Sequence, residues 1–127
     1  MKSYTHRVDT SESVIYRKFE GAITLDEIYD SWMHILNLEE FTWLNYDLIT
    51  DYREAEILTP PRKLNLVEKF YEDHLSLIKG SRHAVVTGEP KATALSQLFG
   101  ENGFVADEIG YKTFTTLKAA VRWLSEH

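Results

Sequence analysis

The chain contains no cysteine. That excludes a disulfide framework, a thiolate nucleophile and any cysteine-based zinc or iron–sulfur site. No apolar run approaches the roughly 20 residues that a membrane-crossing helix needs, so no membrane span is predicted. The opening residues, MKSYTHRVDTSES, lack the apolar stretch of a secretory signal. These absences make a reducing cytoplasm the expected location. Positive charge is also in short supply: 14 Lys and Arg stand against 20 Asp and Glu, for a net charge of −6. The basic residues are scattered, with only Arg17-Lys18 and Arg62-Lys63 adjacent. A phosphate backbone is held by clustered cations, so nucleic acid is excluded as an expected partner. The three prolines and six glycines mark no linker, internal repeat or low-complexity stretch. Residues 1–127 are therefore expected to form a single domain.

What is present is a typical soluble composition, 43% hydrophobic and 27% charged, in a chain of 127 residues. That length buries a continuous core without covalent staples. Apolar and polar residues alternate around Val8 between Tyr4 and Thr10, which predicts an edge strand with one wet face. Ser11-Glu12-Ser13 reads as a turn and VIYRKFEG, from Val14 to Gly21, as an antiparallel partner strand. Thr24 with Glu27 forms a capping box, and Leu25, Ile28, Trp32, Ile35 and Leu36 then recur at helical spacing. A helix from there to about Leu38 follows.

Tyr46 to Thr50 predicts a strand ending at Asp51, followed by a charged loop. Pro60-Pro61 opens a second helix with Leu64, Val67, Tyr71, Leu75 and Ile78 on its apolar face, ended near Gly80. RHAVVT, from Arg82 to Thr87, is the next strand. Gly88-Glu89-Pro90 turns into a third helix through Leu95, Leu98 and Phe99. Phe104 to Tyr111 predicts the last strand. Thr115 or Thr116 caps a last helix with Leu117, Ala120, Val121 and Leu124 on its core face. The order ββαβαβαβα implies an α/β fold. Its five-stranded sheet is mostly parallel, with an antiparallel N-terminal edge strand and packed helices.

The element order, the strand YDLITD with its terminal Asp51, the motif DYREAEI and the closing FTTLKAAVRWL resemble the SpoIIAA-like (STAS-related) family of small bacterial α/β domains. The likeness spans Val14 to Leu124. It implies a regulatory or binding module rather than an enzyme. In the anti-sigma factor antagonist branch a serine at the start of the helix after this strand is phosphorylated. Here Thr59, Pro60 and Pro61 occupy the matching positions. Thr59 either serves as a phosphoacceptor, where a phosphate would suit the helix N-terminus, or simply caps the helix.

Asp51, Tyr52, Arg53, Glu54 and Glu56 form the densest polar cluster. Asp51 and Arg53 there either anchor the loop or orient a small, polar, anionic ligand at the carboxyl ends of the strands. Thr87 would be a further polar anchor of such a pocket and Tyr52 or Trp43 its apolar wall, and Thr87 and Gly88 belong to a second loop at the same end. The five histidines, His6, His34, His74, His83 and His127, show no i, i+4 ligand spacing. No metal, cofactor or catalytic residue is predicted.

The aromatic supply is rich, at three Trp, seven Tyr and six Phe. Tyr29, Trp32 and Met33 widen the stripe of the first helix, while Phe41 and Trp43 sit in the loop after it. That loop either folds back over the helix or joins it in a self-association patch. The expected function is a non-enzymatic regulatory or binding module with a protein partner or a second copy, as a homodimer. The alternative is a small-molecule or lipid-binding domain.

Overall fold

The computed structural model describes residues 3–58, 69, 70, 72–78, 80–88 and 110–126. Strand β1 (Tyr4–Asp9) runs antiparallel to β2 (Val14–Ile23). Helix α1 (Leu25–Leu36) and the single turn α2 (Glu39–Thr42) lead to β3 (Asp47–Ile57). Helix α3 (Leu75–Ile78), β4 (Arg82–Val86), β5 (Gly110–Phe114) and α4 (Leu117–Ser125) follow. The sheet order is β1-β2-β3-β4-β5, and every pair after the first is parallel. The α/β architecture expected from the sequence is the one observed.

Two cores lie on opposite faces of the sheet. Ile15, Phe19, Leu48, Tyr52 and Val85 pack against Ile28, Trp32 and Ile35 of α1, Phe41 of α2 and Ile78 of α3. Val14, Ile49, Ala84 and Val86 point the other way, onto Ala120 and Leu124 of α4. Period-two alternation along each strand feeds both faces at once, which is why β3 is buried continuously from Leu48 to Tyr52 and β4 from His83 to Val86. Thr24 caps α1 as its spacing predicts: its side chain accepts from the Glu27 amide, and Glu27 accepts from the Thr24 amide. Thr116, rather than Thr115, caps α4.

Four expectations are corrected. Strand β3 does not stop at Thr50 but runs on to Ile57, so the charged "loop" DYREAEI is strand. The cause is β2, which extends to Ile23 and offers Glu20 through Ile23 as parallel partners for Glu54 through Ile57. A register shift between Lys18 and Glu20 and a left-handed Gly21, at φ 78°, accommodate the extension. Polar residues there are tolerated because Ala55 is buried while Arg53, Glu54 and Glu56 face solvent. Second, the segment after α1 holds α2 instead of open loop. Third, the last described strand is Gly110–Phe114, later than the expected 104–111, whose first six residues lie outside the described set. Fourth, Val121 is exposed rather than core. The capping threonine, paired prolines and first apolar residues (59–68) of the expected second helix, with Tyr71, also lie outside it, as does the whole third helix.

Candidate functional site

Alternation along β3 divides the predicted site. Asp51 shares the α4-side face with Ile49, whereas Tyr52 turns into the opposite core and stacks on Phe19 with ring centroids 5.1 Å apart. Burial pushes the Tyr52 phenol pKa up, against the opposing pull of Arg17. Tyr52 is therefore a core residue and not a pocket wall beside Asp51. Arg53 folds back on Asp51, with Nε 3.0 Å from Oδ1 and Nη2 2.8 Å from Oδ2, while its backbone N–H also donates to Oδ1 at 3.0 Å. Burial raises the Asp51 pKa, but these bonds from Arg53 outweigh it and hold the carboxyl below its ordinary range.

The register places Asp51 beside Val86, and Gly88 lies next to the Arg53 stem. Asp51, Arg53 and Gly88 are thus brought together where the carboxyl end of β4 meets the middle of β3. Thr87 is completely buried, its N–H donating to the Phe114 carbonyl at 2.9 Å, so it ties β4 to β5. A surface groove of about 410 Å³ opens beside this cluster over β1 and β2, lined among others by Arg7, Tyr16, Lys18, Asp51, Arg53 and Leu117. Three of its cations already face carboxylates: Arg53 meets Asp51, Lys18 lies 3.0 Å from Glu54, and Arg7 lies 3.9 Å from Asp9. Arg7 also sits 4.1 Å over the Tyr16 ring.

The expected self-association patch separates as well. Trp32 and Phe41 are buried and meet edge to face at 6.0 Å. Tyr29 is half-buried and stacks on Phe70 at 5.2 Å. Met33 and Trp43 are the exposed members, at 48% and 80%. One turn of helix divides FTWL between two environments: Phe41 plugs the core, and Trp43 and the 61%-exposed Leu44 project outward. Leu77, on α3, adds a further exposed apolar side chain.

Sequence reasoning missed a buried polar chain on the α1 side. Arg17 is only 1% exposed and lies with its guanidinium 4.6 Å over the Trp32 ring. It donates to Thr50 Oγ1 and, at 3.3 Å, to Ser31 Oγ, which is also 2.9 Å from His6 Nε2. Thr50 Oγ1 in turn lies 2.9 Å from His83 Nε2. Burial, helped by the nearby Arg17 charge, depresses the His83 pKa well below its usual value. The available signal was the alternation Ile15, Arg17, Phe19, which puts an arginine at an inward position. Among the described residues there is no group of three or more His, Asp or Glu able to hold a metal ion. No helix among them is long and apolar enough to cross a membrane.

The strand order and the two helical layers find counterparts among solved structures. The fold is SpoIIAA-like. An uncharacterised DUF3478-family protein with a SpoIIAA-like fold from Shewanella loihica PV-4 superposes with a TM-score of 0.59 at 18% identity, covering 98% of this chain and 95% of that one. The unphosphorylated anti-sigma factor antagonist SpoIIAA gives a TM-score of 0.59 at 11% identity, covering 98% and 99%. No protein-family model and no curated protein matches the sequence. The resemblance carried by YDLITD and FTTLKAAVRWL therefore holds at the level of the SpoIIAA-like fold.

Proposed function

We propose that this SpoIIAA-like domain is a non-enzymatic regulatory module of the cytoplasm that acts by contact with a protein partner. The observation that carries this reading is Trp43, 80% exposed on a turn whose position is locked by the buried Phe41. A large aromatic held outward on a rigid support loses little conformational freedom on binding, which is the profile of an interface anchor. Leu44 beside it enlarges the apolar tip. The similar fold of a protein named as an anti-sigma factor antagonist supports a role in protein regulation. Matched ion pairs along the groove beside Asp51 favour a structural role for those charges over ligand capture.

The test is affinity capture from host-cell extract with wild type, Trp43→Ala and Leu58→Ser, the last altering an exposed apolar residue of a different segment. A partner retained by wild type and Leu58→Ser but lost by Trp43→Ala supports the contact. Equal retention by all three, or no retention by any, overturns it.

A further inference from the structure

Resting on the partner-contact reading of Trp43, we propose that the partner is a basic protein segment. Its apolar residues cover Trp43 and Leu44, and its Lys or Arg side chains face Glu39, Glu40 and the acidic stripe of α1. Between Lys18 and Arg53 the chain has no Lys or Arg but eight Asp and Glu, and this stretch holds α1 and α2. The negative excess of a chain with net charge −6 is thereby concentrated around the outward tryptophan.

Residues three and four apart share a helix face. Asp26, Asp30 and Met33 therefore line up along α1, all of them exposed, and Glu39 stands one turn before Trp43. The Trp43 and Leu44 N–H groups both donate to the Glu39 carbonyl, at 2.9 and 3.0 Å, and the Tyr46 N–H donates to that of Glu40 at 2.8 Å. These bonds tie the acids and the apolar tip into one turn. α1 and α2 pack together, and α2 also packs against α3, which carries the exposed Leu77. An apolar centre with charge at its margin is the anatomy of a protein contact.

Asp26, Glu39 and Glu40 enter no ion pair among the described residues. Acids elsewhere are paired: Asp47 with Arg82, Asp51 with Arg53 and Glu54 with Lys18. Lys69, next to the Phe70 that packs on the α1 side, is taken by Asp73 at 3.6 Å. Exposed cations gather across the sheet, with Arg7 over Tyr16 on the α4 side and Lys118 and Arg122 on α4 itself. An unpaired negative field attracts a basic surface and repels an acidic one. A second copy would set its own Glu39 and Glu40 against these, and an anionic bilayer would repel both.

Two dye-labelled amphipathic peptides of about 18 residues, long enough as helices to span α1 and α2, serve as probes. One has a Leu face and a Lys face, and in the other each Lys is replaced by Glu. In anisotropy titrations at about 50 mM salt the Lys peptide is expected to bind at least roughly tenfold more tightly than the Glu peptide. It is expected to lose at least about fivefold at about 500 mM. Trp43→Ala, and Glu39→Gln combined with Glu40→Gln, should each weaken it by at least roughly fivefold. Glu56→Gln removes an exposed acid about 30 Å further along β3 and should leave it unchanged. Unchanged thermal melts serve as the folding control. Equal affinity for the two peptides, indifference to the Glu39 and Glu40 changes, or an equal loss in Glu56→Gln overturns the basic partner. If Trp43→Ala still weakens both peptides, the contact reading stands without it. Affinity that Trp43→Ala leaves intact removes the tip and both readings with it, and no binding of either peptide at about 1 mM overturns the basic partner. A doubled chain mass in light scattering, or sedimentation with phosphatidylglycerol vesicles, abolished in either case by Trp43→Ala, would replace the basic partner with a second copy or a lipid surface.

Discussion

Arg17 donates two hydrogen bonds to the single side-chain oxygen of Thr50, from Nε at 3.1 Å and from Nη2 at 2.9 Å. A hydroxyl has two acceptor lone pairs and one proton. With both lone pairs occupied, the Thr50 proton points to His83 Nε2, 2.9 Å away. His83 is thereby held neutral with its proton on Nδ1, an atom that is buried with no hydrogen-bond partner among the described residues. Protonation would set a second cation beside the Arg17 guanidinium and leave Thr50 facing a third donor.

Stability is consequently expected to fall as the solution is acidified. The folded-state pKa of His83 lies below its unfolded value of about 6.5, so the unfolded chain binds the extra proton first. The contribution is complete above that value and is lost at about 1.4 kcal/mol per pH unit below it, down to the folded pKa. Urea unfolding at pH 7.5 and 5.5 reads this slope, and His83→Gln is expected to flatten it. An unchanged slope in the variant would rule His83 out as the source.

Removing the Thr50 hydroxyl while leaving Arg17 in place strands a buried cation. Thr50→Val is expected to cost about 3 kcal/mol, within the range for breaking one side of a buried charged network. Arg17→Met combined with Thr50→Val is expected to cost less than the two single changes added together, because the pair is removed as a unit. The denaturation midpoints of the three variants close this cycle.

Phe41 and Trp43 lie two residues apart and are expected to respond oppositely to truncation. Phe41 is 1% exposed against Trp32, so Phe41→Ala should destabilise by about 3–5 kcal/mol. Trp43→Ala should change stability by no more than about 0.5 kcal/mol, since its side chain stands in solvent. Thermal melts of the two variants check the contrast, and a large loss in Trp43→Ala would mean that the tip is packed.

The Asp51–Arg53 pair predicts a second, more acidic dependence. Arg53 is 41% exposed at the side chain, so solvent screens the pair and Asp51→Asn should cost only about 1 kcal/mol at neutral pH. The folded Asp51 pKa is depressed, so its contribution is present above the unfolded value of about 3.9 and disappears as pH falls through the folded one. Wild type and Asp51→Asn should therefore converge in stability near pH 2 while differing near pH 7.

Thr24 with Glu27, the alternation Ile15-Arg17-Phe19 and the strand–helix order were written in local chemistry. Capping partners three residues apart and a period of two need no distant information, so helix α1, strand β2 and the SpoIIAA-like arrangement were legible in the chain itself. Two things belonged to tertiary structure. Strand β3 continues through DYREAEI because β2 supplies a partner ladder along Glu20 to Ile23, and that pairing overrides the polarity of the segment. This turned Asp51 from the mouth of a loop into the middle of a strand and sent Tyr52 to the opposite core. The Arg17–Thr50–His83 chain joins residues on three strands, each unremarkable among its sequence neighbours. Local patterning determined which segments fold and how. Pairing between strands decided which polar groups meet, because burying them costs free energy unless partners from elsewhere in the chain arrive with them.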